Sequence, residues 1–179
     1  VRDIITTEFY ANSGWSKKLS REQRICIAAE KLYEPSRMAL DYGIKICLEP
    51  HGPITGSIEG LRDIMTMLGG IDSVGVNLDT GNSWLGGADP VEMAKAFKDK
   101  IYHIHWKDLG KEYVEKRGIL FGSGFSDIEL GTGIIDIKGV IETLRDSSHI
   151  HGSTLEIKGS PELLRASAAY VTKHWNTSP

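Results

Sequence analysis

The sequence predicts an α/β fold whose parallel sheet curves into part of a (β/α)8 TIM barrel. Five short apolar segments alternate with helical segments along the chain, and no turn signal joins two strands into a hairpin. The later strands also carry polar residues on one face, near their C-terminal ends. A sheet covered by helices on both sides would be apolar on both faces, so this pattern favours a barrel with a reactive mouth.

Turn and cap residues delimit the elements of the first part of the chain. Gly43 separates the first long helix from the second strand, and Ser57 is placed to cap the next helix. Pro35 predicts an interruption of the first helix, because proline lacks a backbone N–H. The predicted elements are strands at 3–7, 44–49 and 74–79 and helices at 21–42 and 57–68.

The second part of the chain continues the same alternation. Asp89 and Pro90 are typical of a helix start, and Ser160 is placed to cap the last helix. The predicted elements are helices at 90–97, 137–144 and 161–174 and strands at 101–106 and 153–157. The Gly-rich stretch 109–135 is too long for an ordinary connection, which predicts a binding loop or lid.

Length and composition are typical of one domain, which we assign to residues 1–179. The 179 residues are 40% hydrophobic, enough for a single core, and the net charge is −3 without a basic stripe. We therefore expect no nucleic-acid partner. We also expect no membrane partner, since no run of about 18 apolar residues is present.

The start of the sequence and its two cysteines indicate where the protein is located in the cell and whether the sequence is part of a longer one. Cys26 and Cys47 lie in apolar runs, where buried free thiols are expected, and no signal peptide opens the sequence. We therefore expect a cytoplasmic protein. The chain begins at Val1 directly in a strand-like segment, from which we expect the sequence to be the C-terminal part of a longer one.

Side-chain alternation along four strands directs polar residues to one place. Successive residues of a strand point to opposite faces, and in each of these strands the apolar residues share the face that helices would cover. The opposite face carries one acid or imidazole near the C-terminal end of each strand: Glu49, Asp79, His105 and Glu156. Because the C-terminal ends of parallel strands meet at one rim, these four side chains are expected to converge.

Converging carboxylates need a positive charge, since each is desolvated beside like charges. A divalent cation would supply it and would use the oxygen and nitrogen donors as ligands. This donor set suits one Mn²⁺ first, with Co²⁺, Mg²⁺ and Zn²⁺ as alternatives. The other interpretation is a set of rim salt bridges to Lys45, Lys107 or Lys158.

Three flanking residues are candidates for substrate binding. His51 follows the first rim acid at the predicted mouth, Asn82 lies in the turn after Asp79, and Lys107 follows His105. Each has a plainer alternative, as a loop histidine, a turn residue and a solvated lysine respectively. His103 is expected to be a hydrogen-bonded interior residue.

Several motifs together resemble the xylose-isomerase-like TIM barrels and, within them, the sugar phosphate isomerases and epimerases. The matching segments are ICLEPHG at 46–52, GVNLDTGN at 75–82, HIHWKD at 103–108, GTGIIDIKGVI at 131–141 and TLEIKGS at 154–160. The resemblance implies that the chain holds the last five βα units of the barrel, with three strands preceding it. A complete barrel takes about 250 residues. One departure is Asn82, where many members of the family have a histidine.

The resemblance also implies a site and a chemistry. It implies that Glu49, Asp79, His105 and Glu156 bind one divalent metal and that Glu49 and Glu156 act as an acid/base pair. Such a site can isomerise or epimerise a sugar, a sugar phosphate or a related keto-polyol by proton transfer through an enediolate. The expected partner is a small carbohydrate, and assembly into a homo-oligomer stays open.

Two other reactions remain as alternatives. A keto-polyol dehydratase of the inosose type uses the same first proton transfer. An apurinic endonuclease of the same barrel type would need a cluster of several metals with extra histidines, including one at the position of Asn82, and a mildly acidic chain suits it poorly.

Overall fold

Five parallel strands pair in chain order and form one curled sheet, about half of a barrel. The structure is a computed structural model, and it describes residues 1–8 and 18–177. The strands are β1 (Asp3–Thr6), β2 (Lys45–Leu48), β3 (Val74–Asp79), β4 (Ile101–Trp106) and β5 (Gly152–Leu155). Asp79 pairs with His105 and His105 pairs with Thr154, so the C-terminal ends of the later strands lie at one level. The predicted partial TIM barrel is thereby confirmed.

Helices follow the strands and cover the outer face of the sheet. They are α1 (Arg21–Asp41), α2 (Ile58–Met67), α3 (Thr80–Leu85), α4 (Pro90–Ala96), α5 (Ile137–Leu144) and α6 (Pro161–Trp175). The predicted caps are present, since the side chains of Ser57, Asp89 and Ser160 each accept a backbone N–H of the first helical turn. None of the helices in the described ranges is both long and apolar enough to cross a membrane.

Two features of the helices differ from the sequence prediction. Helix α1 runs through Pro35 without a break, so the predicted interruption is wrong. Pro35 is exposed, which lets water reach the carbonyl that lacks a donor, while Leu32 and Ser36 on the buried side keep the helix packed. The second difference is helix α3, which forms where the sequence predicts a turn.

The two faces of the sheet have opposite chemistry. Outward-facing side chains of β2, β3 and β4 are buried against the helices, for example Leu48, Leu78 and Ile104. The inward face carries polar residues, including Asn77 and His103. The helices therefore stabilise the sheet from outside and leave the concave face free for a site.

One flank of the half-barrel exposes apolar surface. A groove of about 410 Å³ lies between the β1 edge and α1, and its lining is almost entirely apolar. Ile4 is 47% exposed and Tyr42 is 77% exposed on this flank. An edge strand with open backbone groups beside apolar side chains is a template for association.

We expect residues 1–179 on their own to associate through this flank. Replacing both Ile4→Lys and Tyr42→Lys should shift the chain toward monomer in size-exclusion chromatography with light scattering, because charge opposes edge pairing. Met67→Lys, on α2 outside the groove, is the matched control, since Met67 is also exposed. A monomeric unaltered chain would contradict the prediction.

Candidate metal centre

Four side chains from the C-terminal ends of neighbouring strands meet on the concave face. Glu49 follows β2, Asp79 ends β3, His105 lies in β4 and Glu156 follows β5. One donor atom from each side chain lies within 4.8 Å of the other three. The structure thus brings together the four residues that the sequence placed at one rim.

The separations of these atoms fit a shared cation. His105 Nδ1 lies 3.0 Å from Glu156 Oε1, 3.6 Å from Glu49 Oε2 and 4.0 Å from Asp79 Oδ2. Two ligands about 2.1 Å from one ion are separated by about 3.0 Å at a right angle and by about 4.2 Å when opposite. The four residues could therefore hold one divalent metal without large rearrangement.

Two of these donors lack hydrogen bonds of their own. Asp79 Oδ2 and His105 Nδ1 are buried, and their neighbours Lys107 Nζ and Glu156 Oε1 lie at ion-pair distance without the alignment of a hydrogen bond. Buried polar atoms are nearly always satisfied, and exceptions call for an ion, a water molecule or a catalytic role. Both atoms belong to the four-residue cluster, which supports the fit to a metal.

The electrostatics of Asp79 also favour a cation. Burial raises the pKa of Asp79 to about 7, although the ammonium of Lys107 opposes the rise. Glu49 and Glu156 add to it as neighbouring negative charges. A buried acid with this environment becomes a stable carboxylate when a nearby positive charge is added.

Glu156 is in the opposite situation. Burial alone would raise its pKa, but close contacts with His105 and Lys107 outweigh burial and lower the pKa to about 2. Lys107 Nζ lies 2.6 Å from Glu156 Oε2 and 3.1 Å from Asp79 Oδ2. The side chain of Glu156 is also 21% exposed, so this charged carboxylate is open to the concave face.

Lys107 is neither solvated nor free at the mouth. Its side chain is completely buried, and its ammonium contacts two of the candidate ligands. Nζ also donates to Asn82 Oδ1 at 3.3 Å and to the carbonyl of Ser123 at 3.2 Å. The structure confirms that Lys107 forms salt bridges with acids of the rim, and it shows that the side chain is not solvated. Contact between Lys107 and substrate stays a prediction.

Glu49 is held by neutral amides. Asn82 Nδ2 donates to Glu49 Oε1 at 3.1 Å, and Asn77 Nδ2 donates to Glu49 Oε2 at 3.3 Å. Each carboxylate oxygen therefore has one fixed donor, and the carboxylate is oriented from both sides. Glu49 is buried, in contrast to the more open Glu156.

Helix α3 explains the position of Asn82. Asp79 caps this helix, with its Oδ1 accepting the backbone N–H of Asn82 at 2.7 Å. The cap turns the Asn82 side chain toward Glu49, and Asn82 Oδ1 accepts the N–H of Ser123 at 3.0 Å. Asn82 thus links a candidate ligand to the long loop, and its predicted contact with substrate stays a prediction.

The long loop also packs against His51 at the mouth. A side chain at Gly122 would collide with the imidazole of His51, because the backbone of the loop lies directly on that ring. Gly122 has φ +75°, a conformation that other residues rarely adopt. His51 is half-buried, and its backbone N–H donates to the hydroxyl of Thr55.

Two contributors to the site, Asn77 and Ser123, were missed by sequence reasoning. Alternation along β3 places Asn77 on the inward face two residues before Asp79, and that signal was available. Ser123 lies within the Gly-rich loop, where no periodic pattern indicates which residue reaches the rim.

Comparison with known proteins agrees with the fold. A family model described as xylose isomerase-like TIM barrel matches residues 4–174. The inosose dehydratase of Lacticaseibacillus casei is 27% identical over 146 residues, which are 78% of this chain and 48% of the relative. The chain spans about half the length of the curated relatives that it matches.

Solved structures have the same half-barrel. A D-tagatose 3-epimerase-like protein superposes with a TM-score of 0.71 at 20% identity, over 97% of this chain and 61% of that protein. The protein IolI with a bound zinc atom superposes with a TM-score of 0.69 at 22% identity, over 97% of this chain and 60% of that protein. At these identities the likeness establishes the fold.

Removing any one of the four donors should weaken metal binding. We expect Glu49→Gln, Asp79→Asn, His105→Ala and Glu156→Gln each to reduce Mn²⁺ affinity by at least about tenfold, because changes even one shell further out have effects of that size. Elemental analysis after dialysis against Mn²⁺ measures the retained metal. Asp127→Asn, an exposed acid of the long loop, is the control. Full retention in all four variants would show that the ligand assignment is wrong.

The packing of Gly122 on His51 can be tested with a neighbouring glycine. Gly122→Ala should lower the free energy of unfolding by about 1–2 kcal/mol, because it combines a positive φ with a steric conflict. Gly124→Ala is the matched control, since nothing lies within 4 Å of its added Cβ. Urea denaturation measures both variants, and equal effects would contradict the described contact.

Proposed function

We propose that this chain, which belongs to the xylose isomerase-like TIM barrel family, carries the metal centre of a dehydratase that acts on a keto-polyol. The proposed reaction removes a proton from the carbon next to a carbonyl and expels a hydroxyl from the following carbon as water. An inosose, the substrate class named by the Lacticaseibacillus casei relative, is the first candidate substrate. The proposal applies to the complete protein, of which this chain supplies the rim described above.

The observation that carries this proposal is the contact between Glu156 and Lys107. Dehydration needs a base for the C–H proton and a donor for the departing hydroxyl. Lys107 Nζ and Glu156 Oε2 are 2.6 Å apart, and the side chain of Glu156 is 21% exposed whereas Lys107 is completely buried behind it. In this scheme the ammonium of Lys107 keeps Glu156 charged, and Glu156 takes the proton from carbon and delivers it to the departing hydroxyl. The proton taken from carbon leaves in the water, so that the step balances with one water lost.

Glu49, Asp79, His105 and Glu156 would hold the divalent metal that this chemistry requires. When bound, the metal supplies Lewis-acid polarisation of the substrate carbonyl and stabilises negative charge on the substrate oxygens. Mn²⁺ is our first candidate, with Co²⁺, Mg²⁺ and Zn²⁺ as alternatives; the bound zinc of IolI belongs to a relative of the same fold. We further propose that His51 contacts a substrate hydroxyl.

Epimerisation is the second candidate, and the D-tagatose 3-epimerase-like neighbour favours it. It would use Glu49 and Glu156 as two proton-transfer groups on either side of one substrate carbon. The side chain of Glu156 is 21% exposed, whereas the carboxylate of Glu49 is buried and each of its oxygens accepts a hydrogen bond from a neutral amide. This environment suits a fixed ligand better than a second base, which is why we place dehydration first.

Substrate conversion in D₂O distinguishes the two reactions. The Mn²⁺-loaded protein should convert 2-keto-myo-inositol to a dehydrated product, detected by mass spectrometry as the loss of one water. At an Mn²⁺ concentration that saturates the weakened site of the variant, Glu156→Gln should abolish both this loss and deuterium exchange next to the carbonyl, because the base is gone, while substrate binding measured by calorimetry is retained. Asp127→Asn is the control and should leave turnover unchanged.

Each result points to one reaction. Deuterium incorporation into a keto-sugar such as D-tagatose with inversion at carbon, and no loss of water from any substrate, would replace dehydration by epimerisation. Cleavage of abasic DNA with no exchange into either ketone would overturn both.

A further inference from the structure

A second layer of polar residues lies directly beneath the candidate ligands. The residue two positions before each ligand has the same inward direction, because side chains alternate along a strand. These residues are Cys47, Asn77, His103 and Thr154. Burial raises the pKa of Cys47 to about 12, so it stays a neutral thiol, and the other three form a chain of hydrogen bonds.

The chain of hydrogen bonds ends on Glu49. Thr154 Oγ1 lies 3.4 Å from His103 Nε2, and His103 Nδ1 lies 3.0 Å from Asn77 Oδ1. Asn77 Nδ2 then donates to Glu49 Oε2 at 3.3 Å. Asn77 is completely buried, so its amide has no water to replace these partners.

The donor and acceptor roles follow from the carboxylate. A carboxylate can only accept, so Asn77 must turn its NH₂ toward Glu49 and its oxygen toward His103. In the neutral ring, that oxygen requires a proton on His103 Nδ1, which leaves Nε2 as an acceptor for the hydroxyl of Thr154. One tautomer of His103 therefore satisfies the whole chain, and the other tautomer breaks it at Asn77.

From this geometry we infer that His103 is a positioning residue, which fixes the amide of Asn77 and through it the carboxylate of Glu49 for metal binding. The inference rests on the proposed metal centre and extends it to the layer beneath the ligands. Without the imidazole donor, the buried Asn77 oxygen loses its partner, and the bond to Glu49 alone then holds the amide. The amide is free to shift, and the carboxylate of Glu49 is less firmly oriented.

Mn²⁺ affinity, measured by titration calorimetry on metal-free protein, tests this role. His103→Phe keeps the ring and removes the donor, and it should weaken Mn²⁺ binding about tenfold, the usual effect of losing a partner of a ligand. His103→Asn places an amide N–H near the position of Nδ1 and should restore most of the affinity. His149→Phe is the control, since His149 contacts the backbone carbonyl of Lys98 and takes no part in this chain of hydrogen bonds.

A double substitution separates a relay from general loosening of the core. If His103 acts through Asn77, then His103→Phe combined with Asn77→Leu should bind Mn²⁺ no more weakly than Asn77→Leu alone. Additive losses would overturn the relay. Thr154→Val, at the exposed end of the chain of bonds, provides a milder variant should His103→Phe fail to fold, and it should weaken binding less than Asn77→Leu.

The tautomer provides a readout that needs no metal. Nitrogen-15 chemical shifts of the metal-free protein should show that His103 is protonated at Nδ1 and unprotonated at Nε2. The opposite tautomer would overturn the inference. Failure of the unaltered protein to bind Mn²⁺ would overturn the metal centre, and with it the effect on affinity. Normal binding that His103→Phe leaves unchanged would overturn the positioning role alone.

Discussion

The confinement of three carboxylates in one partly dry site is the constraint on which the rest of this structure depends. Glu49, Asp79 and Glu156 would repel one another if all were charged without compensation. Lys107 supplies one positive charge from within the protein. Its side chain is completely buried, and its ammonium contacts Asp79 and Glu156. A divalent cation would complete the compensation and use the two donor atoms that lack hydrogen bonds. Burial of these charges is tolerable only because the outward face of the same strands packs a continuous apolar core.

Strand alternation explains why so much of this site could be predicted from sequence. A residue's face in a parallel sheet is fixed by its position, so an acid near the end of an otherwise apolar strand must point to the concave side. This rule predicts the inward direction of Glu49, Asp79 and His105. The pairing of Asp79 with His105 shows that these two residues lie at the same level of the sheet. The helix caps were predictable for a related reason, because Ser57 and Ser160 act on N–H groups only a few residues away.

Features that depend on tertiary contacts could not be read in this way. Helix α1 continues through Pro35 because packing on either side outweighs the loss of one hydrogen bond. The local sequence does not indicate that packing. Asn82 faces Glu49 because Asp79 caps a short helix that has too few residues to show a period. Lys107 was ambiguous for the same reason, since its burial depends on Ser123 in a loop distant along the chain.

Under the proposed function the same rim would serve either dehydration or epimerisation, because the two reactions share their first proton transfer and differ in where a proton is delivered next. Epimerisation returns it to carbon from the opposite face, whereas dehydration gives it to an oxygen on the following carbon. In this chain the groups near Glu49 are amides that orient it, and the group near Glu156 is a buried ammonium that keeps it charged. Lys107 is in turn held by Asn82 and by the loop carbonyl of Ser123. The choice between these two reactions therefore depends more on the long loop and on the residues around the candidate metal ligands than on the ligands themselves. One such cluster can support several activities in barrels whose loops differ.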